Sequence, residues 1–511
     1  MKKSVLFIII LMILNLCAHF LPFERKSLAP DSYSAIVSLK DHPPAGSLLQ
    51  YLWSDPKRPV TNSLLNLMSK LTGDNPIPSL WLVFLTSAGV LIAAYFLFML
   101  LLADDFMAFI AAIIFCLLPN KLESFHNSIA FNINAAFVIY ILALIFFIAW
   151  IKKGKALLLL ASFISYTLGI FWYEVGFFTF AIIFMYVLLY GEKNQLKCAL
   201  YFFIPAAVYF LLRVTLVFGL VQASNFTDAI GFSGVFSVIG ELFNHLAGRY
   251  MIRSILYGVY KFFTLPKVWL TCFICIDLIL LSILATLLKK YELKKVTRAL
   301  YIFSAVLFAF YLLPLFLSIR GAMGGRHLVL PSLGLALFLL GMLELAKKYW
   351  RALFFVFVGA ALVICQGNAW CQVVACRINA AVYDTIKEKK SQILRAQNLI
   401  IDTKSFAENI PFTFVQNDFN VLNTYYGAQT FETWGLVAIG RLATNDNIDN
   451  CFIATESLVM TKDGKVEFQV SEPAGYRKIS KQKKSLPQTN TIIIDFESVY
   501  AGDFNNGLRK K

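Results

Sequence analysis

The sequence predicts an all-α polytopic membrane protein with about eleven transmembrane helices, followed by a small C-terminal extracytoplasmic α/β domain. Three observations carry this. The 511 residues are 59% hydrophobic and only 15% charged, with a mean hydropathy of +0.68, far from the average of soluble domains. Apolar runs long enough to cross a bilayer recur as far as residue 369. Beyond about residue 370 the hydropathy drops, and short runs with strand-like patterning replace the long ones.

The first run, roughly 4–22, follows Met1-Lys2-Lys3. It has no small-x-small cleavage site, and Leu16 before Cys17 spoils a lipobox, so it reads as a retained span entering from the cytoplasm. Further runs lie at about 79–102, 132–151, 156–173, 176–190, 198–217, 267–288, 299–319, 327–346 and 352–369, with a shorter one near 105–119. With the N-terminus inside, the cytoplasmic connections hold Lys2, Lys3, Lys152, Lys153, Lys155, Lys193, Lys197, Lys289, Lys290, Lys294, Lys295, Arg298, Lys347, Lys348 and Arg351. The short outside turns hold Lys121, Arg320 and Arg326. That asymmetry sets the orientation. It depends on the 105–119 run crossing, although Asp104 and Asp105 leave it short.

Residues 1–369 thus form the membrane part, with large outside loops at 23–78 and 218–266, and residues 370–511 form the tail. Both loops are too apolar for linkers. Leu48–Trp53 and Ser63–Met68 have helical apolar spacing, and Tyr250, Tyr257 and Tyr260 lie beside Arg249, Arg253 and Lys261, as expected of interfacial helices. In the tail, Asn398–Asp402, Val466–Val470 and Thr491–Asp495 read as strands. Of the nine cysteines, Cys17, Cys116, Cys198, Cys272, Cys275 and Cys365 fall in or beside spans and read as small apolar packers. Cys371, Cys376 and Cys451 lie outside, and no pairing among the three follows from their spacing.

No P-loop, Rossmann fingerprint, HExxH or Gly-x-Ser-x-Gly motif occurs in a fitting context, which excludes nucleotide-driven transport and the common hydrolases. The net charge of +16 is loop charge, and nucleic acid is not an expected partner. Polar residues instead collect on the outside: Asp31, Arg58, Glu123, His126, Glu174, Arg320, Arg326 and His327. The stretch Gly324-Gly325-Arg326-His327-Leu328-Val329-Leu330-Pro331-Ser332 puts a cation and an imidazole at the mouth of a span. Arg320 and Arg326 flank a glycine-rich turn that suits a phosphate, which guanidinium binds bidentately. The plainer reading makes them headgroup anchors. Glu174, between two apolar runs with almost no polar loop, either faces a watery cavity or pairs with a cation. Asp31 after Pro30 is by itself an ordinary turn acid. His126 near Glu123 lacks a second histidine, and no metal site is expected there.

In order, these residues resemble the GT-C fold integral-membrane glycosyltransferases. The resemblance covers about residues 1–345. It runs through an acid soon after the first span, Arg58-Pro59, a Leu-rich segment ending Gly73-Asp74-Asn75-Pro76, Pro119 with Glu123, Glu174, and Arg326-x-Leu328-x-Leu330-Pro331-Ser332-x-x-Gly334. It implies a multi-pass protein of the bacterial inner membrane that uses a polyprenyl-phosphate-linked sugar donor. The acceptor would be an extracytoplasmic glycan or glycolipid, such as O-antigen or another lipid-linked polysaccharide. By it Asp31 is the catalytic base or metal-facing acid, and Glu174 orients a sugar. Arg326, helped by Arg320, holds the lipid phosphate, with Arg58, Glu123, His126 and His327 in the binding set. The chain departs from the family in lacking a paired acid in the first loop, so a divalent metal stays an open cofactor, and in Tyr173, where relatives often carry Lys. Two other readings stand beside this one. A polysaccharide ligase or polymerase also pairs outside arginines with an acid. A lipid-sugar flippase or transporter needs midplane polar groups, of which Asp277 is the clear candidate.

Overall fold

The computed structural model describes residues 2–20, 60–61, 64, 76–121, 123–126, 130–213, 251–252, 254–317, 325–388, 391–392, 398–402, 450–454, 458–473, 479–488 and 491–495. Helix α1 (Lys2–Asn15) continues into a π turn, Leu16–Phe20, and is followed by α2 (Pro76–Leu102) and α3 (Asp105–Leu117). A 3-10 turn (Pro119–Lys121) and the single-turn α4 (Glu123–His126) lead into α5 (Ala130–Lys153) and α6 (Ala156–Trp172). The turn Glu174–Gly176 precedes α7 (Thr179–Tyr190), α8 (Lys193–Leu200) and α9 (Phe203–Arg213). Then come α10 (Ser254–Phe263), α11 (Lys267–Leu288), α12 (Arg298–Leu317), the turn Gly325–Leu328, α13 (Val329–Leu345) and α14 (Trp350–Glu388).

Where they are described, the apolar runs read from the sequence are helical, one of them in two pieces. Among the described residues, six stretches are long and apolar enough to cross a membrane: Lys3–Phe20, Leu80–Leu102, Ala130–Lys153, Lys193–Leu212, Lys267–Leu288 and Lys347–Trp370. Five more apolar helices are shorter, among them Asp105–Leu117 and Val329–Leu345. Large side chains on their outer faces stay uncovered, with Leu157, Val268 and Val356 between 70% and 75% exposed, as a lipid-facing surface requires.

Helix α3 is the axis of the bundle. Phe106 through Leu117 are all buried, which follows from a segment that is apolar on every side, and α1, α2, α13 and α14 pack around it. Its two ends define the two ends of the bundle. At one, Asp104 caps the helix by accepting from Phe106 N at 2.9 Å and Met107 N at 3.0 Å. Asp104 pairs with Lys294 at 2.6 Å, and Ser4 donates to Asp105 at 3.1 Å. Lys3 and Arg351 converge there on Tyr291, and Lys152 donates to Leu100 O. At the other end, His19 Nε2 meets Cys116 O at 3.2 Å. The short α3 therefore lies parallel to α1.

Three findings differ from the sequence reading. The 198–217 run is broken at Tyr201 and Phe202 into α8 and α9. Helix α14 does not stop near 369 but continues as one 39-residue helix to Glu388, so the boundary read at 370 falls inside it. Within the 218–266 loop, α10 packs on α14, with backbone against backbone where Gly258 faces Ile364 O and Gly367 faces Gly258 O. Close approach of this kind needs glycine on both helices. The two segments read as interfacial helices in the first loop lie almost wholly outside the described residues.

Among the described residues the tail contains two small sheets. Strands β1 (Asn398–Asp402), β2 (Asn450–Ala454) and β6 (Thr491–Asp495) form a parallel sheet in the order β2-β1-β6. Strands β3 (Leu458–Met460), β4 (Lys465–Pro473) and β5 (Ile479–Pro487) form an antiparallel one, with Val466 paired to Leu486.

Candidate functional site

The His19 end of the bundle gathers most of the buried polar side chains. Tyr173 ends α6, its N–H bonded to Gly169 O at 2.9 Å, and its carbonyl accepts from Tyr140 Oη at 2.7 Å. The Tyr140 ring fills the space between Gly169 and Gly176, where a Cβ would stand 2.8 and 2.4 Å from ring carbons. This wedge fixes the Glu174–Gly176 turn, which Phe177 N closes onto Glu174 O at 2.9 Å. Thr179 Oγ1 donates to Gly176 O at 2.7 Å and meets Tyr311 Oη at 3.2 Å. Glu174 itself is half-buried.

From the same position Tyr173 Oη reaches His327 Nε2 at 2.7 Å, and the rings lie nearly parallel with centroids 6.0 Å apart. Both residues are buried. His327 belongs to the Gly325–Leu328 turn that starts α13, so this bond joins the Glu174 turn to the Arg326 turn across 154 residues of sequence. Ser332 Oγ, one helical turn on, bonds Leu328 O at 2.6 Å and Asn120 Oδ1 at 3.1 Å. The Gly325–Leu328 turn packs on both Pro119–Lys121 and α4.

Lys121, read from the sequence as a charge in a short outside turn, is enclosed by protein. It has no exposed surface and caps α3 at its negative end. Its ammonium donates to the carbonyls of Phe115, of Cys116 at 3.2 Å and of Leu118 at 3.1 Å. It also lies over the rings of Phe115 and Phe125. Burial pushes its pKa down to about 8, with Cys116 and Cys365 acting in the opposite sense. Phe125 stacks in turn on His19 at 4.1 Å. Asn134 holds α4 by donating to Ser124 O at 2.8 Å.

The first large loop reaches this end at Thr61, which is buried and donates to Trp172 O at 2.7 Å. Trp172 Nε1 donates to Asn132 Oδ1 at 2.6 Å. Thr61 thus stands against the residue two before Glu174.

Of the residues picked out by sequence, Glu174 and His327 are brought together through Tyr173. Arg326, Glu123 and His126 lie on elements that pack with them, their side chains not being among those described. Asp31, Arg58 and Arg320 lie outside the described residues. Sequence reading passed over Asn120, Asn132 and Tyr140, named Ser332 only as part of a motif, and noted Tyr173 only as a departure from one. The one signal for them was a polar or hydroxyl side chain within an apolar run. Among the described residues no group of three or more His, Cys, Asp or Glu is placed to hold a metal.

The chain matches no protein-family model, and no curated protein matches it closely enough to serve as a relative.

Proposed function

We propose that this protein is a GT-C-type integral-membrane glycosyltransferase that moves a sugar from a polyprenyl-phosphate donor to an extracytoplasmic glycan acceptor, such as O-antigen or another lipid-linked polysaccharide. The observation that carries the reading is the Tyr173–His327 bond, which puts the turn bearing Glu174 beside the turn bearing Arg326. An acid for sugar hydroxyls and a guanidinium for phosphate then share one end of the bundle, opposite the lysine-rich end. The proposed topology has eleven crossings and the N-terminus inside, with the Glu174 end and residues 370–511 outside. Cysteine labelling from the cytoplasm next to Arg326 would contradict it.

In this mechanism the acceptor hydroxyl attacks the anomeric carbon of the donor. A new C–O bond forms as the bond from that carbon to the lipid phosphate breaks. Asp31 takes the hydroxyl proton, and the phosphate leaves with the bonding electrons against Arg326, helped by Arg320. Glu174 orients the sugar, and Tyr173 and His327 hold the two turns at a fixed separation. A divalent metal at Asp31 would add charge stabilisation to the same step. No ATP is consumed.

The test is transfer of radiolabelled sugar from polyprenyl phosphate by the purified protein. Arg326→Ala removes a charge-assisted pair worth about 2 kcal/mol, or about thirtyfold in donor kcat/KM. Arg326→Lys should recover only part of this, because the bidentate fork is lost. Equal rates for all three proteins would return Arg326 to the role of a headgroup anchor. The buried Asp277–Gln366 pair favours a second reading, a lipid-sugar transporter. In that case the labelled lipid would change leaflet with no transfer.

A further inference from the structure

Asp277 lies halfway along the 22-residue α11 and is 8% exposed. Facing it on α14 is the fully buried Gln366, whose Nε2 donates to Asp277 Oδ1 at 2.7 Å. The other atom of that amide, Oε1, is buried with no hydrogen-bond partner among the described residues. Among the described residues, the titratable groups that interact electrostatically with the carboxyl are the thiols of Cys17, in the π turn after α1, and Cys365, on α14. Neither supplies a counter-charge. A carboxylate here would have one neutral donor for its charge in an apolar interior, an arrangement that strongly disfavours ionisation. At the same time Gln366 Oε1 lacks a donor, which is costly in its own right.

A single proton removes both deficits. A carboxylic acid and a primary amide form a ring of two hydrogen bonds, amide N–H to acid carbonyl and acid O–H to amide oxygen. The first bond is present, and a proton on Oδ2 supplies the donor that Oε1 needs for the second. We infer that Asp277 and Gln366 form an intramembrane proton-binding site, in which Asp277 is held as the neutral acid and paired to the amide across the α11–α14 contact. The balance is simple: carboxylate and one proton give the acid, and no other group changes charge. A metal cation suits the site poorly. Hard cations take about six or more oxygens, and this pair offers two, Oδ2 and Oε1, between helices whose carbonyls serve their own ladders. Acids buried within membrane helices mark proton relays as a class. The inference does not depend on the glycosyltransferase reading.

The experiment is infrared difference spectroscopy on the purified full-length protein in lipid, wild type minus Asp277→Asn, at neutral pH. The expected difference is a carboxylic-acid C=O band, unchanged by sodium, that gives way to carboxylate bands only at alkaline pH. Gln366→Leu, which removes both hydrogen bonds, should shift that band to the higher frequency of an unbonded acid. Carboxylate bands at neutral pH would overturn the inference. So would loss of the acid band on adding sodium, which would reassign the site to a metal cation. An acid band that Gln366→Leu does not move would overturn the pairing.

Discussion

Gly176→Ala tests the wedge that positions Glu174. The new Cβ would lie 2.4 Å from Cε1, Cε2 and Cζ of Tyr140, whereas carbons in contact stand about 3.5 Å or more apart. The ring must therefore retreat by about 1 Å. It has no room to do so. Tyr140 is fully buried, its hydroxyl is held by Tyr173 O at 2.7 Å, and Gly169 lines it as well. Overpacking at such a site costs about 1–3 kcal/mol, and losing the Tyr140 hydrogen bond adds about 1 kcal/mol. The expected penalty is thus about 2–4 kcal/mol, accompanied by displacement of Glu174 two residues away. Gly89→Ala is the internal control. Its Cβ meets only Val138 Cγ2, at 3.4 Å, and alanine gains about 1 kcal/mol over glycine inside a helix. Thermal denaturation of the two variants in detergent, with transfer rate measured on the survivors, should separate them clearly. Tyr140→Leu, which vacates the ring position, should make Gly176→Ala far less harmful in the double variant than in the single one. Equal stability and activity of Gly176→Ala and Gly89→Ala would refute the wedge.

Asp31→Asn should lower turnover by roughly 10²–10⁴ with donor binding largely kept, whereas Asp41→Asn should change little; initial rates across donor concentration decide, and the reverse pattern would move the base to Asp41. Burial opposes ionisation of Asp104, yet Lys294 and the N–H groups of Met107 and Phe106 together hold its carboxyl below the usual carboxylate range. A lowered carboxyl pKa stabilises the fold fully above about pH 4 and loses that effect as pH falls through the lowered value. Asp104→Asn keeps the cap but not the charge, so its melting temperature should be below wild type at neutral pH and converge with it in acid. Lys121, pushed down to about 8 by burial, gives a slope of the same sign in a more alkaline window. Between that value and the ordinary lysine pKa of about 10.4 the unfolded chain holds the extra proton, so stability rises with pH. Lys121→Met should flatten that rise in a melting series from pH 7 to 10.

The helices were legible because a long apolar run has little choice but to close its backbone hydrogen bonds within itself. The run 267–288 is the helix Lys267–Leu288 to the residue. Strands were legible for a related reason: Asn-Leu-Ile-Ile-Asp and Thr-Ile-Ile-Ile-Asp are short β-branched runs between polar residues, and they pair with each other in parallel as β1 and β6. Where helices end depends less on hydropathy. Helix α14 carries on past Trp370 through a segment whose apolar content has already fallen. That stretch carries no Gly or Pro and keeps apolar residues at helical spacing, as in Val374, Ile378, Ala381 and Val382, a signal that a hydropathy boundary overlooks.

Lys121 shows why the site was harder to read than the fold. From sequence it is a lysine after Pro119-Asn120 at the end of an apolar run, the ordinary signature of a headgroup anchor. Its actual environment is made by the C-terminal carbonyls of α3, the ring of Phe125 on α4, and Cys365 from a helix far along the chain. Glu174 stood out because a charge between two apolar runs is conspicuous whatever its neighbours. Tyr140, Tyr173 and Asn120 did not, because a tyrosine within a span or a tyrosine or asparagine at its end is common, and each acquires its role only through a partner on another element: Tyr173 O, His327 and Ser332 respectively. Local chemistry therefore marks residues that membrane insertion makes expensive. The residues that hold those in position are neutral, inexpensive to bury once bonded, and recognisable only when the helices are together.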